Sequence, residues 1–253
     1  MYYLGLDLGS SYTKGVLTDE NNQIIDYHVF KTGFDFKKAA QKVIARFSKN
    51  YKIEFPVFTC GYGRTEIDEP LISNSEIIAL SEAVFNIYKK ECSVIDIGGQ
   101  DTKYIKINQY GQVDKFKMNR KCAAGTGSFI EEIAFRLNVS ALEFSKLAEQ
   151  SKQDIKINSY CTVFAVSEII GMMKKGIIMP DVVNGIYKSV ISRCTELAPI
   201  EDFLVITGGI PDNHPMMVKL FKKTFPESDC PPKSQFLAAY GCVLLNHSKN
   251  SKS

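Results

Sequence analysis

The chain of 253 residues has no tryptophan, only three histidines and no long apolar run. A membrane-spanning helix needs about 20 consecutive apolar residues, so we expect no membrane span. The apolar start, residues 1–9, is too short for a secretory signal and lacks its basic segment. The net charge is only +3, without the basic stripe that nucleic-acid partners require. We therefore expect a cytoplasmic protein that binds neither membranes nor nucleic acid.

Several common site motifs are missing as well. The seven cysteines are odd in number and include no CxxC pair, which argues against a disulfide framework and against a zinc ribbon. In a reducing compartment most of these thiols are free. Neither the P-loop GxxxxGK(S/T) nor the dinucleotide motif GxGxxG occurs. P-loop NTPases and Rossmann dehydrogenases are therefore disfavoured.

The chain does contain an internal repeat. Residues 6–14 (LDLGSSYTK) have a counterpart in residues 95–103 (IDIGGQDTK), with aspartate, glycine, threonine and lysine in step. In each copy an apolar strand ends in the aspartate, a glycine turn follows, and two strand-like segments come next. Such a duplication predicts two similar α/β lobes. We place lobe I at residues 1–91, with the C-terminal helix 233–248 as a candidate addition, lobe II at 92–232, and a disordered tail at 249–253.

The repeated turn is suited to bind phosphate. Glycine lets backbone N–H groups approach an anion, and Ser or Thr hydroxyls add donors. An aspartate at the strand end can hold hydrated Mg²⁺, so two facing turns would clamp a polyphosphate. A third glycine turn, Gly208-Gly209, follows the predicted strand Phe203–Thr207 and allows the backbone to pack against a base or ribose. The alternative for any one of these turns is a plain tight β-turn.

Two cysteines differ from the other five in their position. Cys122 and Cys161 stand near the starts of the predicted helices Cys122–Leu137 and Cys161–Lys175. A helix N-terminus favours a thiolate and a bound anion, and an iron–sulfur cluster is such an anion. Two ligands per chain become four if a two-fold axis passes through the cluster. A buried apolar thiol and a nucleophile are the alternatives.

Taken together, the motifs resemble those of a known family. DLGSSYTKG, DIGGQDTK and TGGI are similar, in this order, to the phosphate-1, phosphate-2 and adenosine segments of the actin, sugar kinase and heat-shock chaperone ATPases. KCAAGTGSF, CTVFAVSE, CGYGR and DIGGQD together resemble the activator ATPases of 2-hydroxyacyl-CoA dehydratases, the BadF/BadG/BcrA/BcrD-type ATPases. This resemblance implies an actin-like ATPase fold, with two duplicated ribonuclease H-like lobes around a nucleotide cleft.

The resemblance also implies an ATPase that is coupled to electron transfer. Members are homodimers that bind ATP or ADP with Mg²⁺ and hold one 4Fe-4S cluster at the interface, with two cysteines from each subunit. They take an electron from ferredoxin or flavodoxin and pass it to an iron–sulfur dehydratase or reductase. The implied cluster ligands are Cys122 and Cys161. The implied catalytic residues are Asp7, which would also hold Mg²⁺, Asp96 and Gln100. The implied nucleotide-binding residues are Gly9, Ser10, Ser11, Thr13, Lys14, Gly98, Gly99, Asp101, Gly208 and Gly209.

Four positions depart from the family pattern. Val166 and Ala238 stand where glutamate and glycine are expected, and Arg120 and Ser128 flank Cys122 where aspartate and arginine are expected. The departures leave the ATP and cluster segments intact, so they concern the partner surface and leave a different client open. Two rival functions also stay open. One is an actin-fold small-molecule kinase, and the other is a non-enzymatic ATP-dependent scaffold.

Overall fold

The computed structural model describes residues 1–52, 54–67, 72–119, 122–159, 161–200 and 202–250. Arg120 and residues 251–253 of the predicted tail lie outside this range. In chain order the strands are β1 (Tyr2–Leu8), β2 (Tyr12–Asp19), β3 (Ile24–Lys31), β4 (Val57–Cys60), β5 (Ile72–Ser73), β6 (Cys92–Ile97), β7 (Thr102–Ile107), β8 (Val113–Asn119), β9 (Leu204–Thr207) and β10 (Ser228–Asp229). The helices are α1 (Phe36–Tyr51), α2 (Glu76–Tyr88), α3 (Gly127–Leu137), α4 (Ala141–Glu149), α5 (Thr162–Lys174), α6 (Met179–Thr195), α7 (Gly209–Asn213), α8 (Pro215–Thr224) and α9 (Leu237–Asn250).

The chain divides into two compact units. Unit 1 comprises Met1–Glu91, Ile107–Asp114 and Gln235–Ser253, and unit 2 comprises Cys92–Lys106 and Lys115–Ser234. Among the helices that the structure describes, none is long and apolar enough to cross a membrane.

Unit 1 is built on a five-stranded sheet in the order β3-β2-β1-β4-β5. The central strand β1 runs antiparallel to β2 and parallel to β4. The apolar side chains of β1 alternate with Gly5 and Asp7, and its leucines pack against Val43 and Phe47 of α1 in one buried cluster. On Gly5 a Cβ would lie 1.9 Å from the carbonyl oxygen of Ala239, so only glycine lets α9 approach β1 this closely.

Unit 2 repeats this arrangement with a larger set of helices. Its sheet has the order β10-β9-β6-β7-β8, which is the order of unit 1 with each strand replaced by its counterpart. The central strand β6 is buried along its whole length and runs parallel to β9. Ile95 and Ile97 of β6 share one apolar core with Phe129 of α3 and Tyr187 of α6. The predicted α/β class with two related sheets is confirmed.

Candidate functional site

The turn between β1 and β2 holds the first group of predicted site residues. Asp7, at the end of β1, is almost completely buried and lies opposite Lys14 in the strand register. Lys14 Nζ donates to Asp7 Oδ2 over 2.8 Å, so the lysine neutralises the buried carboxylate. The turn thus gathers Asp7, Gly9, Ser10, Ser11, Thr13 and Lys14.

Thr32, which follows β3, is hydrogen-bonded to this turn. Its hydroxyl donates to the carbonyl of Gly9 over 2.7 Å, and its N–H donates to the carbonyl of Ser11 over 3.0 Å. The hydroxyls of Thr13 and Thr32 are also 3.0 Å apart in the buried interior. A trans peptide points its C=O and N–H in opposite directions, so with Gly9 C=O turned to Thr32 the N–H of Ser10 faces away.

The other oxygen of Asp7 fits a cation. Asp7 Oδ1 is buried and has no hydrogen-bond partner among the residues that the structure describes. A Cβ on Gly61 would lie 2.6 Å from this oxygen and from the N–H nitrogen of Leu8. An unpartnered buried carboxylate oxygen suits Mg²⁺ or one of its water ligands. Gly61 was not among the predicted site residues, although it belongs to the CGYGR motif at the end of β4.

The turn between β6 and β7 repeats the first turn with a more buried lysine. Lys103 is 2% exposed, and its Nζ lies 3.3 Å from Asp96 Oδ2 and 3.0 Å from Asp101 Oδ1. Thr207 Oγ1 donates to Asp96 Oδ1 over 2.9 Å, so both oxygens of Asp96 are engaged. The N–H of Gly98 donates to the carbonyl of Asp101 over 2.9 Å and closes the turn. Lys103 and Thr207 were missed as site residues, although Lys103 is the repeat counterpart of Lys14.

The third glycine turn lies beside the second. Strand β9 is parallel to β6, with Thr207 opposite Asp96, so Gly208 follows at the same end of the sheet. Gly208 has a φ of +106°, and a Cβ there would lie 2.4 Å from the carbonyl oxygen of Ile97. Gly209 opens α7, a short helix that the sequence analysis did not predict. Unit 2 therefore brings together the residues Asp96, Gly98, Gly99, Gln100, Asp101, Gly208 and Gly209.

The two candidate cluster cysteines are exposed, whereas Cys230 is half-buried and the other four cysteines are buried. Burial raises the pKa of the Cys60 thiol well above its usual range and raises the pKa of Cys194 to about 12. Such thiols stay protonated and make poor metal ligands. Cys122 and Cys161 are thus the two exposed cysteines and the candidate metal ligands.

One prediction about these cysteines is wrong. Cys161 occupies the N-cap position of α5, as expected for a helix start, but Cys122 does not open a helix, because α3 begins only at Gly127. Gly125 adopts a φ of +84°, outside the helical region. The N–H and hydroxyl of Thr126 both donate to the carbonyl of Ala123, over 3.0 and 2.6 Å. These bonds fold a separate turn between Cys122 and the helix.

The exposed thiols fit half of a cluster site. Within the described ranges no group of three or more His, Cys, Asp or Glu side chains could hold a metal ion. A thiolate-bound iron–sulfur cluster takes four ligands. Two exposed thiols per chain match such a cluster when a second copy supplies the other two.

Two related sheets, each with an aspartate–lysine pair beside a glycine turn, define an ATPase of the actin-like fold. Residues 4–246 match the BadF/BadG/BcrA/BcrD ATPase family, and the chain belongs to this family. The chain is 32% identical to an activator of lactoyl-CoA dehydratase from Anaerotignum propionicum, over 100% of both chains. It is 33% identical to an (R)-2-hydroxyglutaryl-CoA dehydratase activating ATPase from Acidaminococcus fermentans, over 100% of this chain and 99% of the relative.

Solved structures agree with this assignment. The activator of 2-hydroxyisocaproyl-CoA dehydratase from Clostridium difficile, with bound ADPNP, superimposes with a TM-score of 0.91 at 29% identity, covering 100% of this chain and 96% of that one. A ROK family glucokinase from Streptomyces griseus has a TM-score of 0.58 at 12% identity over 97% of this chain and 99% of its own, and shows the fold alone. The predicted actin-like fold and the family resemblance are confirmed.

Proposed function

We propose that this chain is an ATP-hydrolysing activator that drives low-potential electron transfer to an iron–sulfur dehydratase or reductase. In this proposal two copies share one 4Fe-4S cluster, and ferredoxin or flavodoxin supplies the electron. The observation that carries the proposal is that unit 2 holds the glycine turn at Gly98-Gly99 together with the two exposed thiols, Cys122 and Cys161. The relatives named as dehydratase activators support the choice of acceptor.

The geometry suggests separate roles for the site residues at ATP. The buried, unpartnered Oδ1 of Asp7 would hold Mg²⁺ or its water, while Lys14 neutralises the other oxygen. Asp96 is bonded by Lys103 and Thr207 at both oxygens, which favours a role in fixing the turn. Gln100 is exposed and free to turn toward a ligand, so we assign it the positioning of the attacking water.

Two thiols per chain would hold the cluster, which supplies the one-electron chemistry when bound. Cys161 lies at the N-cap of α5, where the helix dipole favours the thiolate form. Glu168, on the same helix, accepts bonds from the N–H groups of Asn158 and Ser159, over 3.0 and 2.8 Å. Burial alone would raise the pKa of Glu168, but these bonds lower it, so the carboxylate stays ionised and fixes the segment before Cys161.

Iron content of anaerobically purified protein tests the proposal. We expect brown protein with about four iron atoms per dimer. Cys122→Ser and Cys161→Ser should each lose most of this iron, because each removes two of the four ligands in the dimer. Cys230→Ser is the matched control, since it changes the least buried of the remaining thiols and should keep the iron.

Two results would contradict the proposal. One is wild-type protein that contains no iron after strict exclusion of oxygen. The other is unchanged iron in both serine variants. A small-molecule kinase or a filament-forming scaffold would keep its activity in both variants, because neither function needs the thiols.

A further inference from the structure

The start of α3 is hydrogen-bonded to the second glycine turn. The N–H of Gly127 donates to the carbonyl of Gly98 over 2.9 Å, and the N–H of Ser128 donates to the carbonyl of Gly99 over 2.7 Å. The hydroxyl of Ser128 donates to the same Gly99 oxygen, also over 2.7 Å. Two consecutive carbonyls of the turn therefore face α3, and one of them receives a side-chain bond in addition.

These bonds fix the direction of two other groups. All described peptides are trans, so a carbonyl that faces α3 turns the N–H of its own peptide away from α3. The N–H groups of Gly99 and Gln100 therefore point to the opposite side of the turn. In the part of the chain that the structure describes, neither of them donates a hydrogen bond to another protein group. Successive amides that point outward in this way form an anion-binding concavity.

The start of α3 packs closely against the second glycine turn. A Cβ on Gly127 would lie 3.0 Å from the carbonyl oxygen of Gly98 and 2.7 Å from Cδ1 of Ile210, so a larger residue would require both neighbours to shift. Ser128 is the next residue, and its short side chain reaches the Gly99 oxygen beside its own N–H. Where the family resemblance leads us to expect arginine, this chain has serine, and its hydroxyl makes this bond.

Further hydrogen bonds hold the backbone of residues 122–125, which precede α3. The hydroxyl of Thr102, at the start of β7, donates to the carbonyl of Gly125 over 2.5 Å. Asn119 Nδ2 donates to the carbonyls of Cys122 and Ala124, over 3.1 and 3.0 Å. Together with the Thr126 turn, these bonds connect the phosphate turn to the Cys122 backbone within one unit.

We propose that Ser128 is a positioning residue that couples nucleotide binding at the second turn to the order of the Cys122 segment. Its hydroxyl holds the Gly99–Gln100 peptide with the Gln100 N–H directed at phosphate. By linkage, a nucleotide that prefers this peptide orientation also stabilises residues 122–128. The inference rests on the proposed function, because it takes the second turn as a nucleotide site.

The first measurement is the affinity of the full-length, anaerobically purified protein for ADP, by calorimetry. Ser128→Ala should weaken binding about three- to tenfold, the range for one lost neutral hydrogen bond. Ser128→Thr keeps the hydroxyl and should bind within about twofold of wild type. Ser189→Ala, which changes a serine of α6 in the same unit, is the matched control and should leave the affinity unchanged.

The second measurement is hydrogen exchange of the peptide that covers residues 122–128, with and without ADP. ADP should slow exchange of this peptide in wild type, and Ser128→Ala should remove most of the difference. A purely structural role would speed exchange equally in both states and leave the affinity unchanged.

The outcomes separate the two proposals. Wild-type protein that does not bind ADP would overturn the proposed function itself. Wild-type binding with an equal affinity in Ser128→Ala would overturn only the coupling role. Weakened binding in Ser128→Thr would also overturn it, and this variant decides the question if the alanine variant does not fold.

Discussion

Gly61 packs tightly beside the first glycine turn. Its φ is +92°, and a Cβ would lie 2.6 Å from Asp7 Oδ1 and from Leu8 N. Gly61→Ala must therefore distort the buried end of β1 as well as adopt a strained backbone. We expect a loss of at least about 2 kcal/mol in the free energy of unfolding and a strong loss of ATPase activity. Thermal unfolding and phosphate release measure the two effects.

Gly33 provides the control for this prediction. Its φ is +68°, and nothing lies within 4 Å of its Cβ position. Gly33→Ala therefore adds only backbone strain, about 1 kcal/mol, and should keep its ATPase activity. Equal losses in the two variants would show that the contact with Asp7 does not matter.

At the scale of single residues, the sequence predicted those that interact with near neighbours along the chain. The repeat identified aspartate, glycine and lysine of both turns, and the structure pairs the lysine with the aspartate in each. It did not predict that Lys103 is far more buried than Lys14 or that Thr207 bonds to Asp96. The bond from Thr207 depends on β9 lying beside β6, and the chain order does not state that pairing.

Among the secondary-structure elements, long periodic helices were the most predictable. The sequence predicts helices at Phe36–Lys49 and near Pro215–Thr224. Helix α8 is found at Pro215–Thr224, and α1 continues for two residues beyond the predicted end, to Tyr51. The predicted start of α3, at Cys122, was wrong. A separate turn precedes the helix, and this turn depends on Gly125 and on the hydrogen bond from Thr126 to Ala123. Helix α7 was missed, because five residues are too short for a periodic pattern.

The contact between α6 and the start of α8 makes stability depend on pH. His214, the N-cap of α8, is buried, and its Nδ1 lies 2.6 Å from the hydroxyl of Tyr187 on α6. Burial lowers the pKa of His214 from 6.5 to about 4. Between these values the unfolded chain binds a proton that the folded chain does not, so stability falls as pH falls. We expect His214 to account for a loss of about 3 kcal/mol between pH 6.5 and pH 4.

Chemical denaturation at several pH values measures this loss. His214→Asn keeps a polar partner for Tyr187 but removes the titrating ring, so the stability of this variant should change much less over the same window. His28→Asn is the control. Burial, with a contribution from Arg46, also lowers the pKa of His28, but this ring is more accessible than that of His214. A wild-type slope that survives in His214→Asn would show that other groups cause it. Glu168, whose pKa is lowered, also stabilises the folded state when ionised. This stabilisation is lost only as the pH falls below the ordinary glutamate pKa of 4.5.

For the whole molecule, the two exposed cysteines lie where the two units differ. The sheets have the same strand order, but α1 alone links β3 to β4, whereas α3, α4, α5 and α6 lie between β8 and β9. Both exposed cysteines belong to this additional segment of unit 2. The repeat therefore predicted the two glycine turns but not the candidate cluster cysteines, which have no counterpart in unit 1. Cys122 and Cys161 are proposed as ligands because of the family resemblance, since one chain would supply only two of the four thiols that a 4Fe-4S cluster needs.

A cluster shared by two copies predicts a specific behaviour of mixed dimers. We consider wild-type chains co-expressed with chains that carry both Cys122→Ser and Cys161→Ser, each with its own affinity tag. Dimers recovered through both tags have only two of the four thiols, although one chain is intact. They should be almost free of iron, or should not be recovered at all if the cluster holds the dimer together.

The opposite result has a clear meaning. If each chain bound its own iron, mixed dimers would hold about half of the wild-type iron, because the intact chain would keep its full site. Mixed dimers made with Cys230→Ser chains are the control and should hold the full amount, since Cys230 is half-buried and lies outside the candidate site. Half occupancy in the first set would exclude sharing even if both serine variants lose iron when expressed alone. The measurement therefore tests the two-fold symmetry of the site separately from the identity of its ligands.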